Sequence, residues 1–203
     1  MKSTAKKMNY YKMNIEGCER KLPLCPLTDS LYIGAFVIFG DPELTTASAK
    51  ALLDRAPEYD YLITAEAKGI PLVHEMARIA GNQRYCLARK APKLYMTDVL
   101  EVNVRSITTA REQKLYLDGE EAALIKGKRV LIVDDVISTG ESLNALEALV
   151  TRAGGKIVGR MAILAEGDAI ARPDLIYLKE LPLFARDAEG NFSIIGNGDG
   201  EII

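Results

Sequence analysis

From Pro42 onward, short apolar runs alternate with stretches whose apolar positions recur at helical spacing. This is the pattern of strand–helix–strand units around a mostly parallel sheet. Asp41-Pro42-Glu43 opens a first helix over 42–55, with Asp as cap, Pro in the first turn and Glu at the positive end of the dipole. A strand is predicted over 59–65, then a helix over 69–80 that Gly81-Asn82 stops, then a strand over 84–88. The most apolar run, 130–133, predicts a strand buried on both faces. A helix over 142–153, ended by Gly154-Gly155, and strands over 156–164 and 175–179 complete the alternation.

Two stretches break this rhythm. Residues 99–107 and 112–117 read as ribbon strands joined near Thr108-Thr109-Ala110, a hairpin projecting within a flexible segment 91–118. Residues 15–40, with Pro23, Pro26, Gly34 and Gly40, predict a hood over the sheet, and residues 1–14 a flexible tail. No repeat or interdomain linker interrupts the chain, so 1–203 reads as a single domain.

At 48% apolar and 27% charged, the 203 residues have globular composition, which excludes disorder throughout. Against 28 acidic residues stand 26 basic ones, so no overall positive field gathers nucleic acid or an anionic membrane, and a polyanion must be held locally. Cys18, Cys25 and Cys86 are odd in number and lack CxxC pairing, which argues for buried thiols in a reducing cytosol rather than disulfides or zinc. The longest apolar run, 32–39, is eight residues against the ~20 that span a bilayer. A soluble cytoplasmic protein is expected.

The strongest chemical signal is Val130-Leu131-Ile132-Val133-Asp134-Asp135-Val136-Ile137-Ser138-Thr139-Gly140-Glu141-Ser142. Two carboxylates end a buried strand, where open α/β sheets hold ligands. The Ser-Thr-Gly-Glu-Ser turn then enters a helix, so backbone N–H groups and three hydroxyls converge as a phosphate cradle. Carboxylates beside such a cradle require hydroxyls or a cation, which predicts a phosphorylated sugar with Mg²⁺ at Asp134 and Asp135. GxxxxGK[ST] and GxGxxG are absent, so neither a P-loop nor a dinucleotide fold is indicated.

Two further clusters follow strands. Glu66, Ala67, Lys68 and Gly69 form a small-residue turn into a helix, able to offer N–H groups and a point charge to a second anion, or simply a strand-to-helix connection. Arg89, Lys90 and Lys93 put three cations in five residues, either a solvated face or a patch facing the ligand crevice.

Residues 130–142 resemble the phosphoribosyl pyrophosphate signature of type I phosphoribosyltransferases at every position, and the resemblance extends over nearly the whole chain. It implies an α/β fold: a five-stranded, mostly parallel twisted sheet flanked by helices, a flexible hairpin over the site and a small hood for the base. It also implies that Asp134 and Asp135 are catalytic, facing the ribose hydroxyls. Ser138, Thr139, Gly140, Glu141 (through its backbone) and Ser142 would hold the 5′-phosphate. Glu66 to Gly69 would be the pyrophosphate loop, with Lys68 where the family often writes Arg and Glu66-Ala67 as the place of a cis peptide. Arg89, Lys90 and Lys93 resemble the Arg-Lys-x-x-Lys that meets pyrophosphate in adenine and xanthine enzymes. In the hairpin, Arg105 and Arg111 are candidates for gating, ordinary surface arginines being the other reading. Thr108 stands where adenine enzymes carry Glu, which leans toward the xanthine enzymes.

For the base, Glu166 stands where enzymes of 6-oxopurines place a Lys, and where adenine enzymes carry Glu with an Arg a few residues on that Arg172 matches. Phe36, Val37, Ile38 and Phe39 would read the base through the hood's main chain. His74, the lone histidine, is expected to be a surface or packing residue. The expected protein transfers 5-phosphoribosyl to a purine, adenine favoured, releasing pyrophosphate in salvage, as a homodimer using Mg²⁺. The alternatives are a xanthine or hypoxanthine enzyme, or a non-catalytic sensing regulator of the same fold. No helix-turn-helix pattern precedes the first core helix to support the regulator.

Overall fold

The computed structural model describes residues 8–105 and 112–203. Its first element lies in the segment expected as a tail: β1 (Tyr10–Ile15) pairs antiparallel with β2 (Cys18–Pro26), and β2 with β3 (Leu31–Gly34). Alternation explains it, because Tyr11, Met13 and Ile15 point inward at 0 to 2% exposure while the residues between them face out. The tail boundary at residue 14 is therefore corrected for residues 10–14.

Next come α1 (Pro42–Leu53), capped by the Asp41 side chain on the Leu44 N–H at 3.1 Å, and β4 (Tyr61–Ala65). α2 (Gly69–Ala80) ends on left-handed Gly81 at φ 72°, and β5 (Cys86–Ala88) follows. The expected hairpin is β6 (Leu100–Arg105) and β7 (Glu112–Leu117), and the sequence gives no strong sign of α3 (Gly119–Ile125) after it. The chain continues through β8 (Arg129–Ile137), α4 (Glu141–Arg152), β9 (Lys156–Glu166), a short 3-10 turn at Gly167–Ala171, and β10 (Leu175–Leu181). Last are β11 (Leu183–Arg186), β12 (Phe192–Ile195) and β13 (Glu201–Ile202).

The parallel sheet runs β10-β9-β8-β4-β5. Its central strands split their side chains between two cores. Leu62, Leu131 and Val133 pack toward α1, α2 and the hood, whereas Ile63, Val130 and Ile132 pack toward α3, α4 and the hairpin. Each fully buried aliphatic side chain here contributes roughly 1.5–3 kcal/mol of transfer free energy.

The hood is a six-stranded antiparallel sheet of order β12-β11-β3-β2-β1-β13, so it is not residues 15–40 alone. Tyr10 and Ile203 exchange backbone hydrogen bonds of 2.9 Å, and the buried Tyr11 hydroxyl accepts from the Gly200 N–H at 2.9 Å. A Cβ at position 200 would lie 2.2 Å from the Lys12 carbonyl oxygen, so only glycine lets the C-terminal segment approach this closely.

Candidate active site

Pairing between β4 and β8 stops at Ile63–Ile132. Beyond it β4 continues with β5 to Ala65–Ala88, and β8 continues with β9 to Ile137–Ala165. The sheet therefore divides between β4 and β8, which is also where the strand order reverses, the place such sheets hold ligands. Asp134 and Asp135 lie on β8 past the division. They stand inside the strand rather than after it, because β9 keeps pairing with β8 on the other edge.

Adjacent strand residues face opposite ways, and the two carboxylates differ accordingly. Asp135 is buried at 3% exposure, and its Oδ2 lies 2.9 Å from the Lys68 ammonium but takes no well-aligned hydrogen bond. Asp134 accepts the Asp135 N–H at 2.9 Å. Burial, followed by the charge of Asp135, pushes the Asp134 carboxyl up to about 7. Such a site favours a cation or hydroxyl donors at these oxygens.

Ser138, Thr139, Gly140, Glu141 and Ser142, with Asp134, Val136, Ile137 and Leu143, line a pocket of about 70 Å³ at the start of α4. Gly140 caps this helix in a left-handed conformation, φ 77°, and contributes no side-chain cap. The positive end of the α4 dipole therefore adjoins this pocket.

The turn after β4 comes equally close. A Cβ at Gly69 would stand 2.1 Å from the Thr64 hydroxyl oxygen and 3.0 Å from Asp134 Oδ1, so glycine is what lets the turn reach the carboxylate. Thr64, fully buried with an unpartnered hydroxyl, is a feature of this site that sequence reading missed; a lone threonine in an apolar strand is too common to signal it. The Glu66–Ala67 bond is cis, as the resemblance implied. Glu66 stands 2.9 Å from Arg89 Nε and accepts the Lys90 N–H at 2.8 Å, tying this turn to the cationic segment. The Arg89 backbone also pairs with Tyr116 at the base of the hairpin. Lys90 is exposed and Lys93 half-buried.

Lys68 joins the two halves of the site, since besides Asp135 it donates to the Phe36 carbonyl at 3.4 Å. Phe36 and Ile38 are buried, whereas Val37 and Phe39 are exposed at 56% and 51%. Of these four residues, Phe36 is the one whose main-chain oxygen accepts from the Lys68 ammonium. Glu166 ends β9, and burial raises its carboxyl to about 7, partly offset by the Lys68 charge. Arg172 is not joined to Glu166: it pairs with Asp174 and Glu147 and stands against Gly140. His74 is an exposed residue of α2, edge-on to Tyr85 at 6.1 Å. The Arg105 side chain, Thr108 and Arg111 lie outside the described residues.

The geometry agrees with the comparisons to known proteins. Residues 43–187 match the family model described as phosphoribosyl transferase domain. The chain is 36% identical over 129 residues to a hypoxanthine/guanine phosphoribosyltransferase of Methanococcus maripaludis, covering 63% of this chain and 65% of the relative. The chain thus spans just under two thirds of that relative's length. It is 29% identical over 150 residues to an adenine phosphoribosyltransferase of Petrotoga mobilis, covering 72% of this chain and 82% of the relative. Among solved structures, the adenine phosphoribosyltransferase of Thermoanaerobacter pseudethanolicus superimposes with a TM-score of 0.60 at 22% identity, covering 70% of this chain and 84% of that one. That of Rhodothermus marinus gives 0.58 at 26%, covering 71% and 83%.

Proposed function

Because the chain belongs to the phosphoribosyl transferase domain family, we propose that it is a purine phosphoribosyltransferase, moving the 5-phosphoribosyl group from phosphoribosyl pyrophosphate to a ring nitrogen of a purine and releasing pyrophosphate. The observation that carries this is the divided sheet: paired carboxylates on β8 and a small pocket at the start of α4 lie across from the turn after β4 that carries Lys68. The cradle would fix the 5′-phosphate, and Asp134 and Asp135 would take the ribose hydroxyls. Lys68, Arg89, Lys90 and Lys93 would neutralise the departing pyrophosphate while the held ribose develops positive charge, so positioning and electrostatics supply the catalysis.

Mg²⁺ fits this donor set in one way. Among the described residues no three carboxylate, His or Cys groups gather to hold a metal, so two carboxylates would share the ion with substrate oxygens, as Mg²⁺ commonly binds. When bound, it would neutralise pyrophosphate charge. The buried Asp135 Oδ2 takes no well-aligned hydrogen bond but faces the Lys68 ammonium at 2.9 Å, so the ion would have to displace that amine to reach it. A homodimer belongs to the same reading, checked by light scattering.

Adenine is the favoured base. Ionised, Glu166 accepts from the exocyclic amine of adenine and opposes an oxo group. A second reading, hypoxanthine or guanine, draws support from the Methanococcus relatives and from the raised Glu166 carboxyl, which when protonated can donate to an oxo group. Incubating the protein with phosphoribosyl pyrophosphate, Mg²⁺ and each base at pH 6 and pH 8 separates them. Adenine turnover highest at pH 8 is the expected result. A larger kcat/KM for hypoxanthine or guanine at both pH values reassigns the base, and no turnover with any purine defeats the proposal.

A further inference from the structure

Asp135 and Lys68 face each other across the division of the sheet with unequal freedom. The carboxylate is 3% exposed and fixed within β8, whereas the Lys68 side chain is 43% exposed on the turn after β4. Their 2.9 Å contact leaves Asp135 Oδ2 without a well-aligned hydrogen bond, and the same ammonium donates to the Phe36 carbonyl at 3.4 Å. A buried carboxylate needs a counter-charge, and among the described residues Lys68 is the one cation paired with it. Lys68 also sits at the head of α2, where no side chain caps the helix and no acidic residue lies in the first turn. The helix dipole disfavours a cation there and favours an anion. An anion seated on this turn therefore competes with Asp135 for the ammonium.

We infer that Lys68 is the resident counter-ion of Asp135, keeping a divalent cation off this oxygen until pyrophosphate on the α2 turn draws the ammonium away. This rests on the phosphoribosyltransferase reading of the site. Asp134 and Asp135 are a small donor set for such an ion, since among the described residues no third carboxylate, His or Cys joins them. With Lys68 in place, the set offers one oxygen fewer. The exchange falls to Lys68 because the carboxylate is buried in a strand, while the ammonium is a point charge on a flexible, half-exposed stem. Lys68 thereby couples the two halves of the site, and the coupling is reciprocal: whatever takes the ammonium helps the divalent ion, and whatever removes the carboxylate helps the anion.

The test uses the full chain without a base. Mn²⁺, followed by electron paramagnetic resonance, is the probe for the divalent ion, and inorganic pyrophosphate in the presence of a chelator, followed by calorimetry, is the probe for the anion. Lys68→Gln is expected to bind Mn²⁺ alone about tenfold more tightly than the wild type. Lys90→Gln, which removes an exposed charge not paired with Asp135, should stay within about twofold. Adding Asp135→Asn to Lys68→Gln should abolish the gain. From the other side, Asp135→Asn should bind metal-free pyrophosphate about fivefold more tightly, and most of that gain should disappear in the Lys68→Gln background. Equal Mn²⁺ affinity in the wild type and Lys68→Gln, an equal gain in Lys90→Gln, or a gain that persists without Asp135 overturns the inference. If Lys68→Gln does not fold, unchanged or weaker pyrophosphate binding by Asp135→Asn overturns it alone. A wild-type protein that binds no pyrophosphate, with or without Mn²⁺, instead defeats the phosphoribosyltransferase reading, and the inference with it.

Discussion

The parallel sheet and the hood are both five- or six-stranded and both meet at Lys68, but they are assembled in opposite ways. Apart from the crossover that brings β8 back beside β4, each parallel strand is joined to its neighbour through one short connection, and the whole sheet lies inside the family match at residues 43–187. The hood draws β1, β2 and β3 from one end of the chain and β11, β12 and β13 from the other, and it falls mostly outside that match. On the proposed function, the first region would carry the phosphate and ribose chemistry, and the chain leaving the second at Phe36 would face the base. The contrast teaches that the carboxylates and the turn into α4 are set by one consecutive run of residues, whereas the hood exists only through pairing between segments far apart in the chain.

The sharpest test on the parallel sheet is the double replacement Asp134→Asn with Asp135→Asn. It should keep the fold and lower turnover on the order of a hundredfold or more, since the amides lose charge and acceptor capacity. Circular dichroism and steady-state assays read the two effects, and undiminished turnover would remove β8 from the site.

Gly69→Ala comes next. Its added carbon meets the Thr64 hydroxyl at 2.1 Å, so the turn after β4 must shift and pyrophosphate affinity should fall about tenfold. Adding Thr64→Ala removes that oxygen and should recover part of the loss, a coupling that a double-mutant cycle measures. Strictly additive losses would show that the close approach is not what matters.

On the hood side, Tyr11→Phe leaves the Gly200 N–H without its acceptor and should cost about 1 kcal/mol in denaturant unfolding. Pyrophosphate affinity should stay unchanged if the two regions are separate in function. A pyrophosphate loss in this variant would break the comparison.

A last test, of stability against pH, concerns Glu166. Its carboxyl titrates near 4.5 in the unfolded chain and about 7 in the folded one, so between those values the folded state binds more protons. Stability therefore falls as pH rises through that window, and Glu166→Gln should flatten the fall. Melting temperatures from pH 4.5 to pH 7.5 check it, and parallel wild-type and mutant profiles would show that burial does not raise this group.

Much of this was legible in residues close together along the chain. The run 130–133 and the Ser-Thr-Gly-Glu-Ser turn located β8, the carboxylates and the α4 cradle, because strand, turn and helix signals there are consecutive. Gly69 and Gly81 bounded α2 for the same reason. By contrast, Tyr11, Met13 and Ile15 alternate as a strand should, yet the alternation spans few residues and lysines surround it, so the segment read as a tail.

What the sequence by itself determined, then, is most of the local elements and the strand-to-helix junctions proposed to hold phosphate, since propensity, capping and turn geometry act over a few residues. Only the tertiary structure decided that the sheet divides after Ile132, that Lys68 spans Asp135 and the Phe36 carbonyl, and that Arg172 stands at Gly140 rather than beside Glu166. It alone closed the hood between Tyr10 and Ile203. These contacts join residues distant in the chain, and their geometry is set by strand register and packing, which no local pattern encodes.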